Sequence, residues 1–361
     1  MAKAEVSTNR TQSPNEAKAA IRKCFKVNRP VFMWGPPGIG KSDIIHQIAS
    51  EQNREVIDVR LSLWEPTDIK GIPFYNTDVK SMTWAPPIEL PSDPESTAVL
   101  FLDELNSAAP ATQAAAYQLI LNRRVGTYHL PKGVSIVAAG NREADKGVTY
   151  RMPAPLANRF LHLELDVSFD DWQEWAVKNK VHEQVVGYIG FAKNDLYDFD
   201  PKSSSRAFAT PRSWSFVSDL LGDDDLSDNT LTDLVAGAIG DGLAVKFMAH
   251  RKVAKQMPKP EAILNGEVKK MEIKEISAMY SLVISLCYEL QMAHEKKDKD
   301  WNSKADCFFG FMMDNFPTEL VVMGSKVALT NYQLPFDASK LKNFDRFHAE
   351  YGKYIITAME S

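Results

Sequence analysis

"FMWGPPGIGKSDII" occupies residues 32–45. One apolar run enters the stretch and another leaves it, and between them stand two prolines, three glycines, a lysine and a serine. The spacing Gly35-x-x-x-x-Gly40-Lys41-Ser42 is that of a phosphate-binding loop. Gly35, Gly38 and Gly40 leave room for backbone N–H groups to close around a polyphosphate. The helix predicted from Lys41 to about Gln52 adds unpaired N–H groups and the positive end of a helix dipole. In such a loop Lys41 reaches the β- and γ-phosphates and Ser42 gives its hydroxyl to Mg²⁺. Pro36, Pro37 and Ile39 complete the turn, and Asp43 follows in the first helical turn. The stretch Gly35 to Asp43 is therefore expected to bind a nucleoside triphosphate with Mg²⁺.

A loop of this kind needs an acidic site on a neighbouring strand. "VLFLDE" at 99–104 provides one: four apolar residues suited to a buried central strand, then two carboxylates. Ligands gather at the C-terminal ends of strands in open α/β sheets. Asp103 would join the Mg²⁺ shell, and Glu104 would act as general base on the attacking water. A strand ending in Asp-Glu means little alone; paired with the loop it points to nucleotide hydrolysis.

Around these motifs strand-like runs alternate with helices. Ser13-Pro14-Asn15-Glu16 reads as a capped helix start, with that helix ending near Lys26. "VFMW" (31–34), "EVIDVRLS" (55–62), "AVLFL" (98–102), "VSIVAAG" (134–140) and "FLHLEL" (160–165) read as strands, and an Ala-rich helix is predicted around 109–122. Apolar β-rich runs separated by helices predict an α/β fold with a parallel sheet covered on both faces. After about residue 168 the pattern turns helical. Ile273, Ile276, Tyr280, Val283, Cys287 and Leu290 step by three and four, predicting a buried helix face. Residues 1–12 are polar and read as a disordered tail.

The 361 residues allow two or three domains. With 44% hydrophobic and 25% charged residues and a net charge of −5, composition is that of a soluble globular protein. The mild acidity argues against sequence-independent nucleic-acid binding over a broad face. The scattered Cys24, Cys287 and Cys307 predict reduced, buried thiols and a cytoplasmic setting. "MAKAEVSTNRTQ" has no apolar core of a secretion signal. Ala278 to Leu290 reads as too short and too interrupted by serine to span a bilayer, so no membrane partner is expected.

At this point the sequence resembles the AAA+ ATPases, and within them the MoxR-type group. "LDELNSAAPATQAAAYQLILNRRVG" is similar to that family's Walker B strand and the helix after it, where a DE-x-N-x-A-x-P-x-x-Q pattern recurs. "IVAAGN" resembles the sensor-1 strand and places the sensor at Asn141; "TYRMPAPLANRF" resembles the segment ending in an arginine finger, here Arg159; "ATPRSW" resembles the sensor-2 signature, here Arg212. The match covers roughly residues 25 to 250. It implies a P-loop AAA+ core over 13–167 and a helical lid over 168–255; on residues 256–361 the family is silent, and this C-terminal helical region, more than a usual lid requires, reads as an added helical domain or an enlarged lid. It also implies a fingered site shared between copies, hence a homo-oligomer, most often a hexameric ring. Asn141 would touch the attacking water or γ-phosphate, Arg159 the neighbour's nucleotide, and Arg212 the γ-phosphate of its own subunit.

Two insertions are the candidates for display. Residues 62–90 carry Trp64, Phe74, Tyr75 and Trp84 among prolines, and 122–133 read as a hairpin bearing Arg123, Arg124, His129 and Lys132. Its positive charge suits an acidic protein segment or a nucleic-acid backbone, and a solvated hairpin explains it equally well. The leading functional expectation is a chaperone-like ATPase that remodels a partner protein; MoxR-type relatives are often paired with a von Willebrand A-domain protein. The runner-up is a nucleic-acid motor or loader subunit of a restriction or phage replication complex, supported by the basic hairpin and opposed by the acidic net charge. A nucleotide-locked scaffold ring is a third reading, opposed by the intact Lys41, Asp103, Glu104 and Arg159.

Overall fold

A computed structural model describes residues 10–78, 80–145, 149–222, 226–272 and 274–360. Ile273 of the expected stripe and residues 223–225, in the acidic stretch "GDDDLSDN" (222–229), lie outside them. The chain divides into two compact units, residues 1–168 and 169–361.

Among the described residues unit 1 is built on ten short strands: β1 (Thr11–Gln12), β2 (Val31–Trp34), β3 (Val56–Arg60), β4 (Ile72–Asn76), β5 (Ser81–Ala85), β6 (Val99–Asp103), β7 (Arg124–Val125), β8 (Tyr128–His129), β9 (Ser135–Gly140) and β10 (Leu161–Leu165). Its helices are α1 (Pro14–Lys26), α2 (Lys41–Glu51), α3 (Pro66–Lys70), α4 (Pro110–Asn122) and α5 (Ala154–Ala157). Six strands form one parallel sheet in the order β1-β10-β2-β9-β6-β3. Every residue of β6 and β9 is buried, as strands covered on both faces must be. The register sets Trp34 beside Gly140 and Leu102 beside Ala138, so the chain leaves β2, β9 and β6 along one edge of the sheet.

Local chemistry starts these elements where expected. Ser13 caps α1: its backbone N–H donates to Glu16 Oε2 at 2.9 Å, its hydroxyl accepts from Glu16 N, and Pro14 takes the first turn. The reading of 1–12 as a disordered tail is corrected over its last residues. Thr11 and Gln12 pair with Glu164 and Leu165, because the open edge of β10 offers backbone partners that a polar segment takes as readily as water. Residues 1–9 lie outside the described residues.

The two insertions lean on one another. β4 and β5 form an antiparallel hairpin within 62–90, and β7 and β8 form the hairpin within 122–133. Trp84 covers Gly126, whose Cβ would meet the indole at 3.2 Å, and Thr127 Oγ1 donates to Trp84 O at 2.9 Å. Of the aromatics expected at the surface, Phe74 and Tyr75 are exposed; Trp64 and Trp84 are half-buried, held by these contacts and the core beneath. Arg123 is also corrected. It donates to Pro131 O at 2.6 Å and Val134 O at 2.7 Å, so it closes the base of its hairpin rather than charging its tip.

Among the described residues unit 2 is built mainly of helices, with one antiparallel bridge between Asp198 and Ala209. The expected split at residue 255 does not occur: the helix Ile276–Glu295 packs on both Glu183–Phe191 and Asp241–Ala254, so one core serves residues 169–361. Ser281 sits so close to Gly187 that a Cβ there would meet Ser281 Oγ at 2.4 Å, and Ser281 hydrogen-bonds His250 Nε2 at 2.7 Å. This helix has 20 residues, longer than the stretch the sequence suggested, and among the described residues it alone has the length and composition to cross a membrane. In the unit it is a core helix, with 61% of its apolar window buried. Val283, Cys287 and Leu290 of the predicted stripe are fully buried, whereas Ile276 at the helix start is exposed. Of the thiols expected to be buried, Cys24 and Cys287 are; Cys307 is only partly so.

Candidate functional site

The loop after β2 closes against its neighbour strand through Gly35 N–H, which donates to Gly140 O at 3.3 Å. Pro36 and Ile39 are buried and fasten the loop to the core, which leaves its backbone as the working surface. Pro37 and Gly38, both half-buried, make the turn between them. Gly38, expected on grounds of room alone, has a conformational cause as well: it stands at φ 77°, in the left-handed region. Gly40 ends the loop at φ 88°, ψ 26°, again left-handed, and starts α2 with no side chain over its N–H groups. Lys41 Nζ donates to Gly35 O at 2.7 Å, Pro36 O at 2.9 Å and Asn141 Oδ1 at 3.0 Å. The lysine of the loop after β2 and the asparagine after β9 thus meet, as the sheet order requires. Asp43 lies exposed in the first turn of α2.

Ser42 Oγ lies 3.5 Å from Asp103 Oδ2, bringing together two hard oxygens of the kind Mg²⁺ takes. Asp103 is 9% exposed, and burial pushes its carboxyl above the usual range. The N–H of Glu104 donates to it at 2.9 Å and opposes that rise; the Glu104 and Asp58 charges add to it, and Lys41 opposes it. A cation beside Asp103 would answer the same cost. Glu104 itself stands at φ 55°, ψ 33°, left-handed for a residue with a Cβ. Its Oε2 accepts a hydrogen bond from the hydroxyl of Ser62, at the start of the 62–90 insertion.

Sequence reasoning gave Ser62, Asn106 and Gly140 no role. Asn106 is 2% exposed, and its Nδ2 donates to Asn141 O at 2.8 Å, holding the backbone of Asn141. Its Oδ1 is buried without a partner among the described residues. Position 140 must be glycine for this packing, since a Cβ there would stand 2.2 Å from Asn106 Oδ1 and 2.8 Å from Phe32. The signal was present in the DE-x-N spacing, but the close approach is a tertiary fact. After Asn141 the turn is clamped by Asp145, which accepts from Arg142 N at 3.1 Å and Nε at 3.3 Å.

One predicted residue of this unit stands apart from this cluster. Arg159 follows α5 and precedes β10, whose first residue Leu161 pairs with Val31 at the start of β2. The phosphate loop leaves the other end of β2, about 10–13 Å away at ~3.3 Å per residue. Arg159 is exposed, and its guanidinium has no partner among the described residues. Arg212 lies exposed in unit 2, in the first turn of the helix Pro211–Leu220, where Thr210 caps and Pro211 opens the helix.

A phosphate loop on one strand, an acid pair on a second and an asparagine on the strand between them meet at one sheet edge. The family profile described as "ATPase family associated with various cellular activities (AAA)" matches residues 30–162, the segment that carries all three. Residues 30–162 are an AAA ATPase domain. Its chemistry is the hydrolysis of ATP with Mg²⁺. The chain is also similar to midasin of Giardia intestinalis, 26% identical over 198 residues that make up 51% of this chain. It spans 4% of the length of that relative. Among solved structures it is similar to a RuvB variant from Thermotoga maritima, 18% identical, covering 84% of this chain and 91% of that one with a TM-score of 0.39. A structure titled as the RuvB Holliday junction branch migration motor of the same organism is 17% identical, covers 83% and 86%, and has a TM-score of 0.37.

Proposed function

We propose that this chain is an ATP- and Mg²⁺-dependent AAA+ remodelling ATPase of MoxR type, working as a ring, a hexamer by resemblance, to alter or activate a partner protein. The observation that carries the reading is the place of Arg159: exposed, unpaired among the described residues, and a strand's length from the loop of its own chain. A guanidinium so placed serves a neighbouring copy. There it would stabilise charge on the transferred phosphoryl group, a contribution of ~10³–10⁵ in rate where such fingers have been measured. Within the chain, Lys41 and the loop N–H groups hold the phosphates, Glu104 takes the proton from the attacking water, and Asn141 orients that water. Ser42 and Asp103 would hold Mg²⁺, which supplies neutralisation of the phosphate charge when bound. Arg212 would read the γ-phosphate from the lid.

The partner is proposed to be a protein, with a von Willebrand A-domain protein as the first candidate. The insertion 62–90 supports this: Leu63, Ile72, Phe74, Tyr75, Met82 and Ile88 are all exposed, more apolar surface than a short segment shows without a use. The nucleic-acid reading drew on the basic hairpin, and Arg123 is spent inside it.

Mixing subunits tests the shared site. Arg159→Ala chains keep an intact loop, and Lys41→Ala chains keep an intact finger. Each alone should turn over only at a residual rate, and mixtures should regain part of the turnover. Mixed assemblies that form and stay inactive at every ratio would remove the finger from the account.

A further inference from the structure

Beside the Arg159 turn, at an exposed His162, runs a hydrogen-bonded chain that none of the nucleotide chemistry above uses. Trp34 Nε1 is 2.8 Å from His162 Nδ1, and His162 Nε2 is 2.8 Å from Ala157 O. An indole N–H can only donate, so Nδ1 must accept. The ring proton is then on Nε2, which donates to Ala157 O. That carbonyl also accepts from Phe160 N at 3.2 Å, so the turn carrying Arg159 is gripped at its first residue from two directions.

The chain is seated in a group of rings drawn from two paired strands and the residue just before one of them. Phe32 and Trp34 come from β2, with centroids 4.2 Å apart; His162 from β10 lies 6.0 Å from Trp34 and nearly parallel to it. Phe160 meets Phe32 edge to face at 5.5 Å. Trp34 is the residue immediately before Gly35, where the phosphate loop begins. The Arg159 guanidinium makes no hydrogen bond or ion pair among the described residues, so the backbone that bears it fixes the point from which the side chain reaches out.

We infer that His162 is a positioning residue for Arg159, fixing the turn that presents the guanidinium to the next copy and, through Trp34, tying that turn to the strand that opens the chain's own phosphate loop. The inference rests on the proposed role of Arg159 in trans. It predicts that loss of the two His162 hydrogen bonds acts on turnover and not on nucleotide affinity. A loosened catalytic group costs on the order of ten- to a hundredfold in rate, as misplacement by about 1 Å does elsewhere.

The test is a double-mutant cycle on the full-length chain, with kcat, KM, the Kd of a fluorescent ATP analogue and Tm measured for each protein. His162→Phe keeps a ring in the stack and removes both hydrogen bonds. It should lower kcat by that factor with Kd unchanged. His162→Gln, whose amide nitrogen takes the place of Nε2, should recover most of the rate. In an Arg159→Ala background His162→Phe should have no further effect, because the group it positions is gone. The inference is overturned if His162→Phe leaves kcat intact, or lowers it by the same factor with and without Arg159. Should His162→Phe lose its folded structure, Trp34→Phe gives a second cycle: it removes the indole N–H that fixes the His162 tautomer but leaves the His162–Ala157 bond, so kcat should fall by a smaller factor, and again only where Arg159 is present. Full activity of Arg159→Ala by itself would instead remove the finger, a failure of the underlying reading that the cycle reports separately.

Discussion

Glu104 can be tested through its backbone before its chemistry is touched. It holds φ 55° and ψ 33°, where a Cβ costs ~1–2 kcal/mol relative to the right-handed region. Alanine keeps that cost and glycine does not. Against this, glycine loses ~0.5–1 kcal/mol more conformational freedom on folding than alanine. The hydrogen bond from Ser62 is lost in both variants and cancels in the comparison. Glu104→Gly should therefore be more stable than Glu104→Ala by ~1 kcal/mol, the reverse of the order at an ordinary helix or strand position. For a unit the size of residues 1–168, that corresponds to ~2–4 °C in Tm. Calorimetry would read it from the transition that ATP shifts, which belongs to the unit carrying the loop. Both variants should bind ATP and hydrolyse none. Equal stability, or a more stable alanine variant, would mean that Glu104 is not held left-handed and that its carboxylate points elsewhere. Strain of this kind persists where the surrounding structure enforces it, commonly at sites that use it.

Asp103→Asn should abolish Mg²⁺-dependent turnover while raising Tm at neutral pH. Burial raises the Asp103 pKa, so its charged form opposes folding; the advantage of the variant should be absent at low pH and grow as pH rises through the raised value. His250 is the opposite case. Burial pushes its pKa from 6.5 down to about 4, so the neutral ring contributes stability that is full above 6.5 and is lost as pH falls toward 4. At 1.36 kcal/mol per unit the loss is about 3 kcal/mol, and the denaturant stability of His250→Leu should fall less than that of the wild type over this range. Arg123→Ala should lower stability by ~1–3 kcal/mol, because two carbonyls lose their donor, and should leave retention on immobilised DNA unchanged. Arg124→Ala, at an exposed position of the same hairpin, should leave Tm unchanged.

The parts of this site that were legible in the sequence are those whose chemistry is local. A Gly-rich turn between a strand and a helix, an apolar strand ending in two acids, and a Ser-Pro-x-Glu helix start each carry their cause within a few residues. What was not legible depends on chain segments brought together from afar. Nothing near Asn106 announces that it will lie against Gly140, nor anything near Glu104 that a hydroxyl 42 residues earlier will meet its carboxylate. His162 reads as one more residue of a β-run until β10 is placed beside β2. Arg123 reads as surface charge until the carbonyls of Pro131 and Val134 turn toward it. The single core of residues 169–361 was hidden for a related reason. A Pro- and Lys-containing stretch around 256–272 looks like a linker by composition, and the helix Ile276–Glu295 that unites the two sides acts through packing at long sequence separation.

The account stands on hydrolysis requiring two copies. The direct measurement is ATPase rate per chain against protein concentration, with mass followed by light scattering on the same samples. Rate per chain should climb from near zero in the dilute single chain to a plateau as assemblies form, and Arg159→Ala should assemble without the climb. A single chain at full turnover, with a rate per chain that dilution does not change, would contradict it.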